Sequence, residues 1–412
     1  MLENVYFMDF NEMTSLFPQL SEKVYGKSLV YLDNAATSLR PATVLDKWME
    51  MSTKYNANLH RAVHYTAGAA TAEYEDTRTC VSRFIGADSP SRIVFTSGTT
   101  ASINLLASSF GDLCVSEGDE IIIAESEHHS DIVPWQLLCV RKKASIKVLP
   151  VDESGHLRVD MLSSLINERT RLVCVAHISN VLGLVNPVEE VVRIAHSHGC
   201  PVLIDGAQSV AHIPVNVSDI GCDFYVFSGH KMFAAPGTGV LYASGDWLDR
   251  MPPYMAGGEM IGTVRWSGST YAPAPHKFEA GTQNIAGVPT LKPAIEMVGQ
   301  MRSFDAETAA VRDYMLSELS AIEGLKLFGV PATPEEKIPL FSFTINGVHH
   351  EDLALILDKM GIAVRSGQMC AEPLMDRFGV TGMLRASFAP YNTMAEAEYF
   401  ISSLKKAVNM LV

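Results

Sequence analysis

Short apolar, β-branched runs alternate with helix-like segments from about Arg92 to Ser244. The runs are RIVF, EIIIAE, SIKVLP, RLVCVAHIS, PVLID, DFYVFS and GVLYAS, and GTTASINLLASSF, WQLLCVRKKA and EVVRIAHSHG are the helical segments between them. Strands that alternate with helices produce a mostly parallel sheet, because each crossover places a helix on one of its faces. We therefore expect an α/β fold with a mostly parallel sheet covered by helices.

The pattern changes after about Thr290. A long helix near residues 307–322, a strand at PLFSFTI, a helix at EDLALILDKM, strands at IAVRSG and MLRASF and a closing helix are typical of a smaller α+β domain. The 412 residues also suffice for two cores. We predict an N-terminal segment over residues 1–28 that packs with the small domain, a large domain over 29–290 and a small C-terminal domain over 291–412.

The Pro- and Gly-rich stretch from Met251 to Gly287 contains no clear periodicity, so we predict a long irregular excursion there. Loops of that length are usually functional.

Charge and cysteine usage exclude several classes of protein. The chain has 46 acids against 32 bases, a formal net charge of -14, which disfavours binding to nucleic acid. No apolar run has membrane-spanning length, and Lys23 is the first basic residue, so we expect no membrane segment, secretory signal or Arg-rich transit peptide. The seven cysteines are dispersed without a CxxC pair. These features indicate a protein of the reducing cytoplasm.

Polar segments follow the predicted strands, at the edge of the sheet where ligands gather. Lys231 ends SGHK, and burial at the lip of a cleft would lower the pKa of its amine and make it suitable for a Schiff base. Asp205 opens DGAQ at the end of a buried strand, where its carboxylate needs a partner such as a protonated pyridine nitrogen. A solvated lysine and a structural aspartate are the alternatives.

His128 in SEHHSD could lie against an aromatic ring, and Thr99 and Thr100 open a helix whose first N–H groups can hold a phosphate. A structural histidine and a capping threonine are the alternatives for these residues. Residues 128–131 and 349–352 also resemble metal ligands. However, adjacent histidines seldom reach one ion, and the second cluster has the acids favoured at a helix start, so we expect no metal.

Ten segments together resemble the class V aminotransferase family of pyridoxal-phosphate fold type I. More specifically, the chain resembles the SufS-type (group II) cysteine desulfurases and selenocysteine lyases. The segments, which follow the family's order through almost the whole chain, are YLDNAAT, HRAVHYTA, FTSGTTASINLLA, EHHSDIVPWQ, HISNVLG, DGAQSV, DFYVFSGHKMFAAPGTGVLY, FEAGTQN, GIAVRSGQMCAEPLM and LRASFAPYNT.

The resemblance implies that the large domain binds pyridoxal 5'-phosphate. Lys231 would carry the cofactor, Asp205 would pair with its pyridine nitrogen and Gln208 would bond its ring oxygen. His128 would stack on the ring and assist proton movement. Family members are homodimers, and the residues implied in phosphate binding are Thr99, Thr100, Ser228, His230 and, from the neighbouring subunit, Thr282.

The resemblance also implies a substrate site for L-cysteine. Arg385 would grip the substrate carboxylate through its guanidinium fork, and Asn180, Arg365 and His60 would assist. Cys370, in SGQMCAEP on a loop of the small domain, would accept the sulfur as a nucleophilic thiolate. The products would be L-alanine and a persulfide, which a sulfur-acceptor protein of the SufE or SufU type would take for iron–sulfur cluster assembly.

The chain differs from the family pattern at three positions. Gln368 and Met369 stand where close relatives usually have a histidine pair, and Ala101 stands where a glutamate is usual. The change in the loop predicts a slower enzyme or one that depends more on its partner.

Other functions remain open from the sequence. Selenocysteine is a candidate substrate, because selenium is the better leaving group, and a cystine-cleaving lyase is another alternative. Cys370 weighs against an epimerase or an aminotransferase. A weakly active sulfur-transfer platform is the alternative outside the enzyme class.

Overall fold

The structure is a computed structural model that describes residues 10–411, without the side chain of Asn11. Residues 1–9 of the predicted N-terminal segment lie outside this range. The helices are α1 (Phe10–Ser15), α2 (Ala42–Thr53), α3 (Tyr65–Phe84), α4 (Thr99–Cys114), α5 (Val133–Lys142), α6 (Leu162–Leu165), α7 (Val188–Ser197), α8 (Val217–Ile220), α9 (Trp247–Arg250), α10 (Leu291–Met301), α11 (Asp305–Ser320), α12 (His350–Lys359), α13 (Glu372–Phe378) and α14 (Met394–Leu411).

Strands alternate with these helices. They are β1 (Lys23–Val24), β2 (Lys27–Ser28), β3 (Val30–Tyr31), β4 (Ile93–Thr96), β5 (Glu120–Ala124), β6 (Ser145–Leu149), β7 (Thr170–Ala176), β8 (Val202–Asp205), β9 (Phe224–Ser228), β10 (Gly239–Ala243), β11 (Ile261–Arg265), β12 (Gly268–Tyr271), β13 (Leu325–Phe328), β14 (Leu340–Ile345), β15 (Ile362–Ala363), β16 (Arg365–Gly367) and β17 (Met383–Ser387). No helix within residues 10–411 is long and apolar enough to cross a bilayer.

The large sheet has the strand order β4-β10-β9-β8-β7-β5-β6. β10 runs antiparallel to β4 and β9, and the other neighbours pair in parallel. Side chains alternate between two cores: Ile121 and Ile123 pack in one, and Ile122 and Ala124 in the other. Successive strand residues point to opposite faces, so strands buried on both faces must be apolar throughout. The predicted α/β fold with a mostly parallel sheet is confirmed.

The C-terminal part forms a second sheet of order β13-β14-β17-β16, whose neighbouring strands are antiparallel. Its core combines Phe341 and Leu384 from strands with Leu319, Leu357 and Leu404 from α11, α12 and α14. β3 pairs in parallel with β15, so the chain near residue 30 also joins this half of the molecule. The three domain ranges given above remain a prediction.

The stretch from Met251 to Gly287 is not irregular throughout. β11 and β12 pair as an antiparallel hairpin, and Val264 and Trp266 on it are exposed. The prediction of a wholly irregular excursion is therefore wrong here. Most side chains of the hairpin face solvent, so it has no alternation of apolar and polar residues from which strands could be recognised.

Candidate active site

A cavity of about 270 Å³ lies beyond the carboxyl ends of the strands in the large sheet. Segments that follow β4, β5, β7, β8 and β9 form one wall, and residues of the second sheet and its loops form another. The predicted site residues that line this cavity are Thr99, Thr100, His128, Asn180, Asp205, Ser228, His230, Lys231, Arg365, Cys370 and Arg385.

Three predicted residues lie elsewhere. Gln208 is buried and does not line the cavity, and its Nε2 donates to the backbone oxygen of Ala35 at 2.8 Å. Thr282 lines a separate cavity of about 220 Å³. His60 lies outside both cavities, with its Nε2 3.0 Å from Oε1 of Glu75.

His60, Glu75 and His276 place possible ligand atoms within 4.8 Å of one another. Arg78 donates to both carboxylate oxygens of Glu75, at 2.8 and 3.2 Å. Because the guanidinium already neutralises the only acid of this cluster, the cluster gives no support for a metal site.

Lys231 and Asp205 both line the cavity. β9 ends at Ser228, and the turn Gly229–Lys231 carries the lysine to the cavity wall. Burial lowers the pKa of Lys231, against the attraction of Asp205. Burial raises the pKa of Asp205, whose Oδ1 accepts from the N–H of Ala207 at 2.8 Å. Within residues 10–411 Asp205 has no ion pair, so its carboxylate can receive a cationic group in the cavity.

The first turn of α4 forms an anion-binding corner. Its N-cap is Gly98, whose φ of 152° suits a residue without a Cβ. The N–H of Thr99 donates to Oγ of Ser228 at 2.8 Å, and the two hydroxyl oxygens are also 2.8 Å apart. The free N–H groups and positive end of a helix favour an anion at this position.

His128 is held as a neutral ring. Its Nδ1 accepts from the N–H of Ser130 at 3.0 Å and lies 2.6 Å from that residue's hydroxyl oxygen. The hydroxyl of Thr100 donates to the same oxygen at 3.0 Å. Because Nδ1 accepts, the ring proton is on Nε2. Burial, and then Lys231, lower the pKa of His128 to about 3. Ser130 was missed in the sequence; His128 is the N-cap of the turn 129–131, and its ring accepts from the N–H of Ser130.

Two buried acids support the turn that carries His128. Glu127 and Asp131 are 0% exposed. Oε1 of Glu127 accepts from the N–H of Ala176 at 2.7 Å, and Oδ1 of Asp131 accepts from Nε1 of Trp135 at 2.8 Å. The second carboxylate oxygen of each acid accepts no hydrogen bond from the described residues. Burial raises the pKa of both acids, so the pair holds a proton.

Two arginines share one carboxylate at the opposite wall. Arg385 donates through Nη1 to the backbone oxygen of Asn180 at 2.8 Å and through Nη2 to Oδ1 of Asp33 at 3.1 Å. Nη1 of Arg365 lies 3.8 Å from Oδ2 of Asp33. Arg385 is buried, and its Nε has no acceptor within the part of the chain described. The guanidinium of Arg385 lines the cavity. Asp33 was missed, although it lies in the segment YLDNAAT.

Cys370 is the exposed member of the seven cysteines, all of which lie in the described range. The others are buried or half-buried, and burial raises the pKa of the thiols of Cys174, Cys200 and Cys222. Cys370 belongs to residues 368–372, which we call the Cys370 loop and which run from the end of β16 to the first residue of α13. This thiol is the accessible nucleophile of the cavity.

The chain is similar to a known family and to known proteins along almost its whole length. The family described as aminotransferase class-V matches residues 30–400. A probable cysteine desulfurase of Halalkalibacterium halodurans is 42% identical over 97% of this chain and 98% of the relative. A cysteine desulfurase of Cronobacter sakazakii is also 42% identical, over 97% of this chain and 98% of the relative.

Solved structures agree. The crystal structure of the cysteine desulfurase CsdA of Escherichia coli has a TM-score of 0.89 and 35% identity, covering 98% of this chain and 100% of that one. The apo cysteine desulfurase of Thermococcus onnurineus has a TM-score of 0.89 and 36% identity, covering 93% of this chain and 95% of that one. The four relatives named above are described as cysteine desulfurases, one of them as probable. The chain therefore belongs to the class V aminotransferase family.

Proposed function

We propose that the protein is a pyridoxal-phosphate-dependent cysteine desulfurase that converts L-cysteine to L-alanine and takes up the sulfur on Cys370 as a persulfide. One observation carries the proposal: the amine of Lys231 and the exposed thiol of Cys370 line the same cavity of about 270 Å³. A Cys370 thiolate would be close enough to raise the pKa of Lys231, so the two groups can act on one small substrate.

The residues of this cavity fit pyridoxal phosphate. Asp205 has no ion pair among residues 10–411 and suits a protonated pyridine nitrogen. The start of α4, with the hydroxyls of Thr99 and Ser228, suits the phosphate. The ring of His128 is neutral and can stack. When bound, the cofactor stores the electrons released at the substrate's α-carbon and so weakens the neighbouring bonds.

The chain's own residues then bind the amino acid and move its protons. The guanidinium of Arg385, which lines the cavity, binds the substrate carboxylate. Nζ of Lys231 takes the α-proton, and its lowered pKa favours the neutral amine that this step needs. Nε2–H of His128 can donate a hydrogen bond to the substrate, since Nδ1 is engaged by Ser130.

Cys370 performs the sulfur transfer. Its thiolate attacks the sulfur of the substrate, a sulfur–sulfur bond forms, and the carbon–sulfur bond breaks with its electron pair remaining on carbon. That carbon takes up a proton, and alanine leaves. One thiol and one cysteine thus give one persulfide and one alanine, so no external oxidant or reductant is needed. Thiol exchange then passes the sulfur to an acceptor.

We propose further that the enzyme is a homodimer. Thr282 lines a cavity distinct from the one that contains Cys370, so a phosphate contact by Thr282 requires a second subunit. A sulfur-acceptor protein of iron–sulfur assembly suits the exposed thiol, and the absence of disulfides among the cysteines of a chain with this composition suits the cytoplasm.

The deciding experiment is alanine and sulfide production from L-cysteine by the purified protein with dithiothreitol. We expect Cys370→Ala to keep the visible absorbance of the bound cofactor and to lose both products. The matched control is Cys114→Ala, a half-buried thiol outside the cavity, which should retain them. Unchanged sulfide release by Cys370→Ala would remove Cys370 from the mechanism. No product from the unmodified protein with either cysteine or selenocysteine would refute the proposed function.

A further inference from the structure

His129, the residue after His128, contacts the Cys370 loop in two ways. Its backbone N–H donates to the backbone oxygen of Cys370 at 2.7 Å. Its ring Nε2 accepts from the backbone N–H of Glu372 at 3.0 Å. His129, in the segment after β5, thus binds both Cys370 and Glu372, which are about 240 positions away in the sequence.

The loop that His129 holds is conformationally unfavourable. Met369 has a φ of 54° and Cys370 a φ of 55°, and two consecutive residues with side chains rarely adopt this left-handed region. Such a backbone persists only where surrounding contacts determine it. A third contact, from Nδ2 of Asn180 to the backbone oxygen of Met369 at 2.8 Å, holds the other end of the turn.

We infer that His129 is a positioning residue that docks the Cys370 loop, and that its ring does so as a neutral imidazole accepting through Nε2. The N–H of Glu372 can only donate, so Nε2 must carry a lone pair and the ring proton is on Nδ1. This inference rests on the proposed function, because it assigns the docked loop to the step in which Cys370 attacks the substrate sulfur.

Glutamine can replace the hydrogen-bond acceptor that the His129 side chain provides. Oε1 of a glutamine lies four bonds from Cα, as Nε2 of histidine does, and it accepts a hydrogen bond. Oδ1 of asparagine lies one bond closer to the backbone and falls short of Glu372. All these variants keep the backbone N–H that binds Cys370. His129→Gln and His129→Asn therefore differ in the one contact under test, and His196→Gln, on the surface of α7, is the control.

Amide hydrogen exchange measures docking directly, without substrate. In the cofactor-loaded protein we expect the hydrogen-bonded amides of Ala371, Glu372 and Leu374 to exchange faster in His129→Asn than in the unmodified protein, and His129→Gln to restore slow exchange. Equal exchange in all three proteins would overturn the inference, whatever the enzyme's activity.

Single-turnover kinetics measure the consequence. We expect persulfide formation on Cys370 to slow by about tenfold or more in His129→Asn, because a small misplacement of a reacting group has effects of this order. His129→Gln should stay within about threefold of the unmodified protein. Discharge of the preformed persulfide by dithiothreitol should not slow, and the visible absorbance of the cofactor should be unchanged.

If His129 had a purely structural role, His129→Asn would retain less cofactor or would slow both the formation and the discharge of the persulfide. A normal rate of persulfide formation in His129→Asn would also refute the positioning role. Failure of the unmodified protein to form any persulfide on Cys370 would instead refute the proposed function, while the exchange experiment would still test the docking contact.

Discussion

Arg385→Lys tests the carboxylate site, because it keeps the charge and removes the fork. Arg385 donates to the backbone oxygen of Asn180 and to Asp33 and lines the cavity, so its guanidinium is held where a ligand can bind it. A lysine ammonium has one nitrogen and three donors, and it cannot reach the same three directions.

The size of the effect follows from the hydrogen bond that the substitution removes. A hydrogen bond to a charged group contributes about 1.5–3 kcal/mol. Since each ~1.36 kcal/mol of transition-state stabilisation is a factor of ten, kcat/KM for L-cysteine should fall roughly 10- to 150-fold. The carboxylate is bound in the ground state as well as in the transition state, so most of the decrease should be expressed as a higher KM.

The assay is alanine formation over a range of L-cysteine concentrations with cofactor saturating. The visible absorbance of the variant should match that of the unmodified protein, which shows that the site is intact. Arg158→Lys, an exposed arginine paired with Asp160 outside the cavity, is the matched control and should change little. If kcat/KM of Arg385→Lys stayed within about threefold of the unmodified value, Arg385 would not be the carboxylate ligand.

Three further predictions concern the cavity and its supports. Lys231→Ala should lose the visible absorbance of the bound cofactor on dialysis, and retention of that absorbance would contradict the assignment. Glu127→Gln should unfold in urea within about 1 kcal/mol of the unmodified protein, because the burial that raises the pKa of Glu127 keeps its carboxyl protonated. Glu127→Ala leaves the N–H of Ala176 without its acceptor and should cost about 2–4 kcal/mol; equal costs would refute the protonated state. His177 is buried, and burial lowers its pKa to about 4, whereas the pKa of an unfolded histidine is about 6.5. Between these two values the unfolded chain binds a proton that the native protein does not, so the folded protein loses stability as pH falls from about 6.5 towards 4. Relative to the unmodified protein, His177→Asn should therefore gain stability between pH 7 and pH 5, and a constant difference in urea midpoints would contradict this.

The sequence by itself determined the large sheet and the edge on which the site lies. Strands covered by helices on both faces are apolar, so the strands from β4 to β10 could be recognised as runs, with only the edge strand β6 partly exposed. The carboxyl ends of parallel strands meet at one edge, and the polar segments after the strands therefore bring Thr99, His128, Asp205 and Lys231 together. The resemblance to a known family added Cys370.

Only the tertiary structure decided which residues orient these groups. Asp33 reaches Arg385 across about 350 positions of sequence, and His129 reaches Glu372 across about 240. The first contact arises because the chain after β3 lies beside β17, and the second because the Cys370 loop packs against the turn after β5. No periodicity along the chain encodes which polar residues will meet in this way. Local patterns fix the strands and the turns that follow them, whereas the contacts between distant turns depend on how the two halves of the molecule pack.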